Sequence, residues 1–177
     1  DDWDKTAKGY KAAENEDKLT LKEIYEENIG KFRKEPVTEA GEDKIGYVEQ
    51  AKRQSANANA GTFSKAVSAA LTDADAGLNV DVTEIGYIIF EKGKVSEINY
   101  NGKNEDELVG LLDKNVNLYF GKAAEIPYAI AACQKGSVRK LFVADDLSDK
   151  VSGCYPIDDD IYDTSFNKVL AEIKDEY

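Results

Sequence analysis

One stretch limits the fold more than any other. Ile45 to Asp75 reads IGYVEQAKRQSANANAGTFSKAVSAALTDAD, a long polar segment rich in alanine. Val48, Ala51, Ser55, Asn59, Thr62, Ala66 and Ala69 recur at roughly the helical spacing of 3.6 residues. Phe63, Val67 and Leu71 widen that stripe toward its C-terminal end. The pattern predicts a helix from Ile45 to Leu71. Its small residues allow close approach to a sheet or to another helix. Gly61 is expensive in a helix interior, by roughly 1 kcal/mol relative to alanine, and marks a bend or a place where another backbone comes close.

The segments after this helix carry a different period. Ile85–Glu91 and Val95–Tyr100 are rich in Ile, Tyr, Phe and Val and flank Lys92-Gly93-Lys94. Ala129–Gln134 and Val138–Ala144 flank Lys135-Gly136-Ser137 in the same way. Short glycine-containing links between such runs predict two β-hairpins. Between them, Asn104-Glu105-Asp106-Glu107 provides a start signal for a helix carrying Leu108, Leu111, Leu112 and Val116. A last helix is expected from about Thr164 to Glu176, with Asp163 or Thr164 as its cap and Phe166, Val169, Leu170 and Ile173 buried. The expected fold is α+β: a long helix packed on a four-stranded antiparallel sheet made of two hairpins, with an N-terminal helical extension and a C-terminal helix.

Residues 1–44 are a separate segment by composition, crowded with charge and poor in branched apolar residues. Thr20-Leu21-Lys22-Glu23 is a capping box. Leu21, Ile24, Tyr25 and Phe32 continue as a helical stripe until Pro36. A weaker helix covers Trp3 to Ala13. Val37–Lys44 is a linker by composition. The division is thus 1–44, a helical extension or joined segment, and 45–177, an α+β domain.

Composition restricts the chemistry. The chain has no His, which removes the commonest general base, the commonest zinc ligand and any Ser-His or Cys-His nucleophile pair. No glycine-rich phosphate loop is present, and the abundant carboxylates show no pattern that converges them, so no catalytic residue is assigned. A net charge of −12 opposes nucleic acid and anionic membrane surfaces as partners. Met is absent, an initiator included, as expected of a processed or trimmed chain. No run is apolar enough to span a bilayer. Cys133 and Cys154 are an even pair: they would be joined in a secreted chain and would stay ordinary thiols in a cytosolic one.

The words Gly46-Tyr47-Val48-Glu49-Gln50-Ala51-Lys52-Arg53-Gln54-Ser55-Ala56-Asn57 resemble the point in type IV pilins and pseudopilins where the N-terminal spine helix becomes soluble. The resemblance covers about Gly46 to Tyr155. It implies a helix crossing a four-stranded antiparallel sheet, and a Cys133–Cys154 disulfide closing a loop after the last strand. On the chain-entropy model that bridge contributes roughly 3 kcal/mol. It further implies a non-enzymatic structural subunit of an extracellular type IV pilus-like filament or secretion pseudopilus. Its partners would be other pilin subunits, met through the N-terminal helix at a bacterial cell surface. The membrane would be met only through a precursor helix. The sequence departs from the family in lacking the apolar first half of the spine, where the polar residues 1–44 stand instead, and in carrying a helix after Cys154. The alternative is an extracellular module that binds protein or glycan, stabilised by calcium.

Two acidic stretches bear on that alternative. Asp73, Asp75, Asn79, Asp81 and Glu84 place oxygen ligands in a calcium-loop register, as a hard cation requires. The turn glycine is one position early, at Gly77, and no helix follows. The resemblance also raises calcium, since some pseudopilins use such a loop, although a plain helix-to-strand loop has the same composition. Asp158-Asp159-Asp160 and Asp163, with Asp145, Asp146 and Asp149, could hold a cation or simply line a solvated loop leading to a helix start. Tyr87, Tyr100, Tyr119, Tyr128, Tyr155 and Tyr162 could form a contact surface or pack the sheet.

Overall fold

A run of apolar residues on both sides of a strand demands cover on both faces, and that requirement organises this protein. A computed structural model describes residues 37–78 and 80–177, with side chains from residue 46 onward. The expected helices within 1–36, and Asn79, lie outside the described residues. The chain divides into two units, Asp1–Tyr47 and Val48–Tyr177. All strands among the described residues belong to the second.

The fold is α+β, with three α-helices among the described residues and a five-stranded antiparallel sheet. In chain order the elements are α1 (Val37–Gly77), β1 (Tyr87–Glu91), β2 (Lys94–Ile98), α2 (Glu105–Tyr119), β3 (Tyr128–Gln134), β4 (Ser137–Ala144), β5 (Gly153–Tyr155) and α3 (Phe166–Glu176). The strand order is β2-β1-β3-β4-β5. Four expectations need correction here. The sheet has a fifth strand, β5, paired with β4 through Phe142 opposite Cys154. Val37–Lys44 is helical and belongs to α1 rather than to a linker. Asn104 stands at the N-cap of α2 in a left-handed conformation, with its side chain making no cap bond, and Ser165 rather than Asp163 or Thr164 is the N-cap of α3.

Both hairpins close as the Lys-Gly pairs require. Lys92 and Gly93 have φ of 49° and 73°, and Lys135 and Gly136 have 52° and 75°. Two successive left-handed residues match the right-handed twist of the flanking strands. In the second hairpin the register shifts between Ala132 and Cys133. The Val138 N–H there donates to Ser68 Oγ of α1 at 3.1 Å.

The sheet has two packed faces. Ile88, Phe90, Ala129, Ala131, Cys133, Leu141 and Val143 turn toward α1 and α2. Tyr87, Ile89, Ile130, Ala132, Phe142 and Cys154 turn toward Tyr162 and the α3 residues Phe166, Val169 and Ile173. Period-two alternation with both faces buried explains why β1 and β3 read as nearly continuous apolar runs. Helix α3 therefore has a definite place: it covers the face that α1 leaves open.

The buried side of α1 is rotated from the expected stripe. Ala60, Phe63, Ala66, Val67, Ala70, Leu71 and Ala74 are buried. Ala51, Ser55, Thr62 and Ala69 are exposed, and Val48 is 54% exposed. Area decides the phase: at about 25 cal/mol per Å2 of apolar surface, Phe63, Val67 and Leu71 outweigh a row of alanines. Phe63 sits with its ring centroid 5.1 Å from that of Phe90 and 5.8 Å from that of Phe120.

One polar contact fixes the α3 side. Lys174 Nζ donates to Glu97 Oε2 at 2.6 Å and the Tyr87 hydroxyl donates to Glu97 Oε1 at 2.7 Å. These bonds, Lys174 first, hold the Glu97 carboxyl below its ordinary value of 4.5. A depressed carboxyl contributes stability that is present above the ordinary value and lost as pH falls through the folded one. The Glu97→Gln variant is therefore expected to be less stable near neutrality and to flatten the acid limb of a stability–pH profile below 4.5. Both side chains are partly exposed, so the effect is held to about 1 kcal/mol or less. Equal acid limbs for the two proteins would show that Glu97 contributes nothing to the acid sensitivity of the fold.

Candidate functional site

The part of the second unit that is built least like a core is the stretch of α1 from Val48 to Ser55. Residues 48–55 are exposed, and Ala56 is the first to pack against the sheet side of the fold. Next to them the β4–β5 connection and the turn Asp159–Asp163 come up beside the helix. Asn57 joins the helix to β5 and to the turn. Its Oδ1 accepts from the Cys154 N–H at 2.9 Å and from the Tyr162 hydroxyl at 2.8 Å. Arg53, one helical turn earlier, lays its guanidinium 4.9 Å from the centre of the Tyr162 ring. Burial holds the Tyr162 hydroxyl above its ordinary range. Tyr162 is thus a packing residue, with its ring face already taken by Arg53.

Between α1 and the β4–β5 connection runs an open groove of about 820 Å3, walled by Lys52, Arg53 and Asn59 on the helix and by Asp145, Asp149 and Lys150 opposite. Lys150 Nζ bonds Asp163 Oδ1 at 2.9 Å, and that bond pulls the Asp163 carboxyl below its usual range. Cations and carboxylates face each other across the groove in near balance. The arrangement can take a polar surface. It offers no positioned nucleophile with a base.

Of the calcium register, the structure describes Asp73, Asp75, Asp81 and Glu84. Helix α1 continues unbroken to Gly77, so Asp73 and Asp75 lie about 200° apart around its axis. Asp73 Oδ2 accepts from Asn115 Nδ2 at 2.8 Å and from the Tyr119 hydroxyl, tying α1 to α2. Asp75 and Glu84 are exposed. Asp81 Oδ1 accepts from the Thr83 N–H and hydroxyl, closing the turn Val82–Glu84, and these bonds lower its carboxyl below the usual range. Asn79 lies outside the described residues. Among the described residues, no group of three or more acidic or cysteine side chains is arranged to hold a metal ion.

The second acidic stretch is also put to local use. Asp158 accepts from the Asp160 N–H at 3.2 Å, and Asp146 accepts from the Ser148 N–H at 3.0 Å. Backbone donors that a turn leaves free are satisfied this way.

The cysteines do not meet. Cys133 faces α1 and Cys154 faces α3, on opposite sides of the sheet. Cys154 lies opposite Phe142, and Phe142 opposite Ile130, so Cys154 is two strands away from β3 and three residues short of Cys133. Strand spacing and rise put that at roughly 10 Å across and roughly 10 Å along. A disulfide needs Cα atoms within about 7 Å. Both thiols are free and buried. Burial pushes the Cys133 thiol up to about 12. The expected result with a thiol-specific reagent is no reaction at neutral pH on the folded chain and two equivalents after unfolding without reductant. A chain that releases no thiol on unfolding would contain the bridge.

The tyrosines do not form one surface. Tyr87 and Tyr162 are buried on the α3 side and Tyr100 on the α1 side. Tyr155 is half-exposed and stacks over Gly61, where an added Cβ would lie 3.3 Å from its ring. Among the described residues no backbone approaches Gly61 as expected; the neighbour there is the Tyr155 side chain. The Asn57 node has no recognisable signal in the sequence, because a lone asparagine on a polar helix face is unremarkable until β5 and Tyr162 arrive beside it. No helix among the described residues is long and apolar enough to cross a membrane. No protein-family model, curated protein or solved structure matches the chain.

Proposed function

We propose that this protein is a non-enzymatic structural subunit of an extracellular type IV pilus-like filament or secretion pseudopilus. The observation that carries the reading is the division of α1. Residues 60–74 bury an apolar face against an antiparallel sheet, while residues 48–55 of the same helix are exposed, Val48 among them. A helix that packs in its own domain mainly from Ala56 onward leaves the exposed stretch 48–55 for neighbouring copies. The exposed half is also the part that carries the pilin-like wording Val48-Glu49-Gln50-Ala51-Lys52-Arg53. On this reading the partners are other subunits and the place of action is the surface of a bacterial cell, with a membrane-anchored precursor preceding assembly.

The groove beside α1 favours a second reading, an extracellular module that binds protein or glycan. Asp145, Asp149, Asn59 and Lys52 are polar groups of the kind that bind hydroxyls and peptide groups. Against glycan stacking stands Arg53, which covers the aromatic ring nearest to the groove.

Shearing surface appendages from the source cells and identifying their subunits by mass spectrometry tests the two readings. The subunit reading expects peptides of this chain in the sheared fraction at the level of a structural component. Their absence from appendages, with the chain abundant in the envelope or medium, would leave the binding module.

A further inference from the structure

Asn101-Gly102 is the one Asn-Gly pair in the chain. It lies between β2 and α2 with Asn101 exposed. Among the described residues, no backbone acceptor takes the Gly102 N–H. A larger residue at position 102 would have to displace the Tyr100 side chain. A Cβ there would fall on the hydroxyl and ring of Tyr100. Tyr100 is 5% exposed, belongs to the α1-side core and donates its hydroxyl to Lys103 O at 3.2 Å. The fold therefore keeps, directly after an exposed asparagine, the one residue whose lack of a side chain leaves its backbone nitrogen unhindered.

We infer that Asn101 is a site of spontaneous self-modification. The Gly102 nitrogen loses its proton to hydroxide and attacks the Asn101 side-chain carbonyl carbon. A C–N bond forms, water returns a proton to the side-chain amide nitrogen, the bond to that nitrogen breaks, ammonia leaves, and a succinimide ring remains. Water then opens the ring. Cleavage at the side-chain carbonyl gives aspartate, and cleavage at the main-chain carbonyl gives isoaspartate. No oxidant or reductant is involved. Both products put a new carboxylate shortly before α2, whose first turn already holds Glu105, Asp106 and Glu107. Isoaspartate also inserts a methylene into the main chain beside Gly102, which moves that residue relative to the Tyr100 ring and breaks its fit in the core.

The test is incubation of the folded full chain at mildly acidic and mildly alkaline pH, followed by peptide mapping. The expected product is the peptide holding residue 101 with its side-chain NH2 replaced by OH, largely as isoaspartate, accumulating faster at the higher pH. The exposed Asn104 and Asn167 are expected to stay intact over the same period. The Asn101→Gln variant, changed only at an exposed side chain, is expected to lose the product. A folded chain that stays unmodified while the urea-unfolded chain converts would overturn the inference, since the loop would then protect Asn101. A conversion rate equal to that of Asn104 or Asn167, or one independent of pH, would overturn it as well.

Discussion

Replacing Phe63 by alanine is expected to lower the unfolding free energy by about 3–5 kcal/mol, the largest loss from any described side chain of α1. The reason is position. Phe63 is fully buried where α1, β1 and the end of α2 converge, with Phe90 and Phe120 against its ring. Removing it deletes the transfer free energy of the ring and leaves a cavity that two other aromatic rings cannot fill without leaving their rotamers. Denaturant unfolding should show a lower midpoint with an unchanged slope, because the surface exposed on unfolding is nearly the same. Phe63→Leu should lose less. A loss below about 1 kcal/mol for Phe63→Ala, the size expected of an average substitution, would mean that α1 does not seat here.

Valine at position 153 is expected to cost about 3 kcal/mol or more, for the opposite reason. Gly153 begins β5 where the strand meets α1. A Cβ there would lie 2.5 Å from the carbonyl carbon of Ala56 and 2.7 Å from its side chain. The obstacle is helix backbone, which cannot rotate away as a side chain can. Either β5 leaves β4 or α1 lifts from the sheet. In both cases Asn57 loses the Cys154 N–H and the Tyr162 hydroxyl. The Cys154 thiol should then react in the folded variant while Cys133, on the other face, stays protected. Stability close to that of the parent, with Cys154 still unreactive, would show that β5 and α1 are not in contact.

Much of this fold is legible in the sequence because local rules and tertiary demands agree. The Lys-Gly pairs at 92–93 and 135–136 mark both hairpins, and Phe166, Val169 and Ile173 mark the buried side of α3. The features that escape the sequence share one cause: they depend on which strands become neighbours. Three-residue β5, bounded by glycine and proline, has no period to detect. Once it pairs outside β4, Cys154 points away from Cys133, and no sequence spacing records that. The phase of α1 is hard to read because a row of alanines and serines has a helical period but little area. The acidic register from Asp73 to Glu84 matches a loop in spacing, yet Ala74 is buried in the core cluster and the register's first residues belong to α1, which ends at Gly77. Of the candidate site, the exposed start of α1 is legible in its polar wording. The groove beside it is not, since Asp145, Asp149 and Lys150 reach it only through the β4–β5 connection.

Immuno-gold electron microscopy of the source cells, using an antibody raised against the whole chain, tests most directly whether this chain builds filaments. A filament subunit should give gold particles running along thin surface filaments, with loss of both filaments and label when the gene is deleted. Label spread over the envelope, with filaments present and unlabelled or unchanged after deletion, would contradict it.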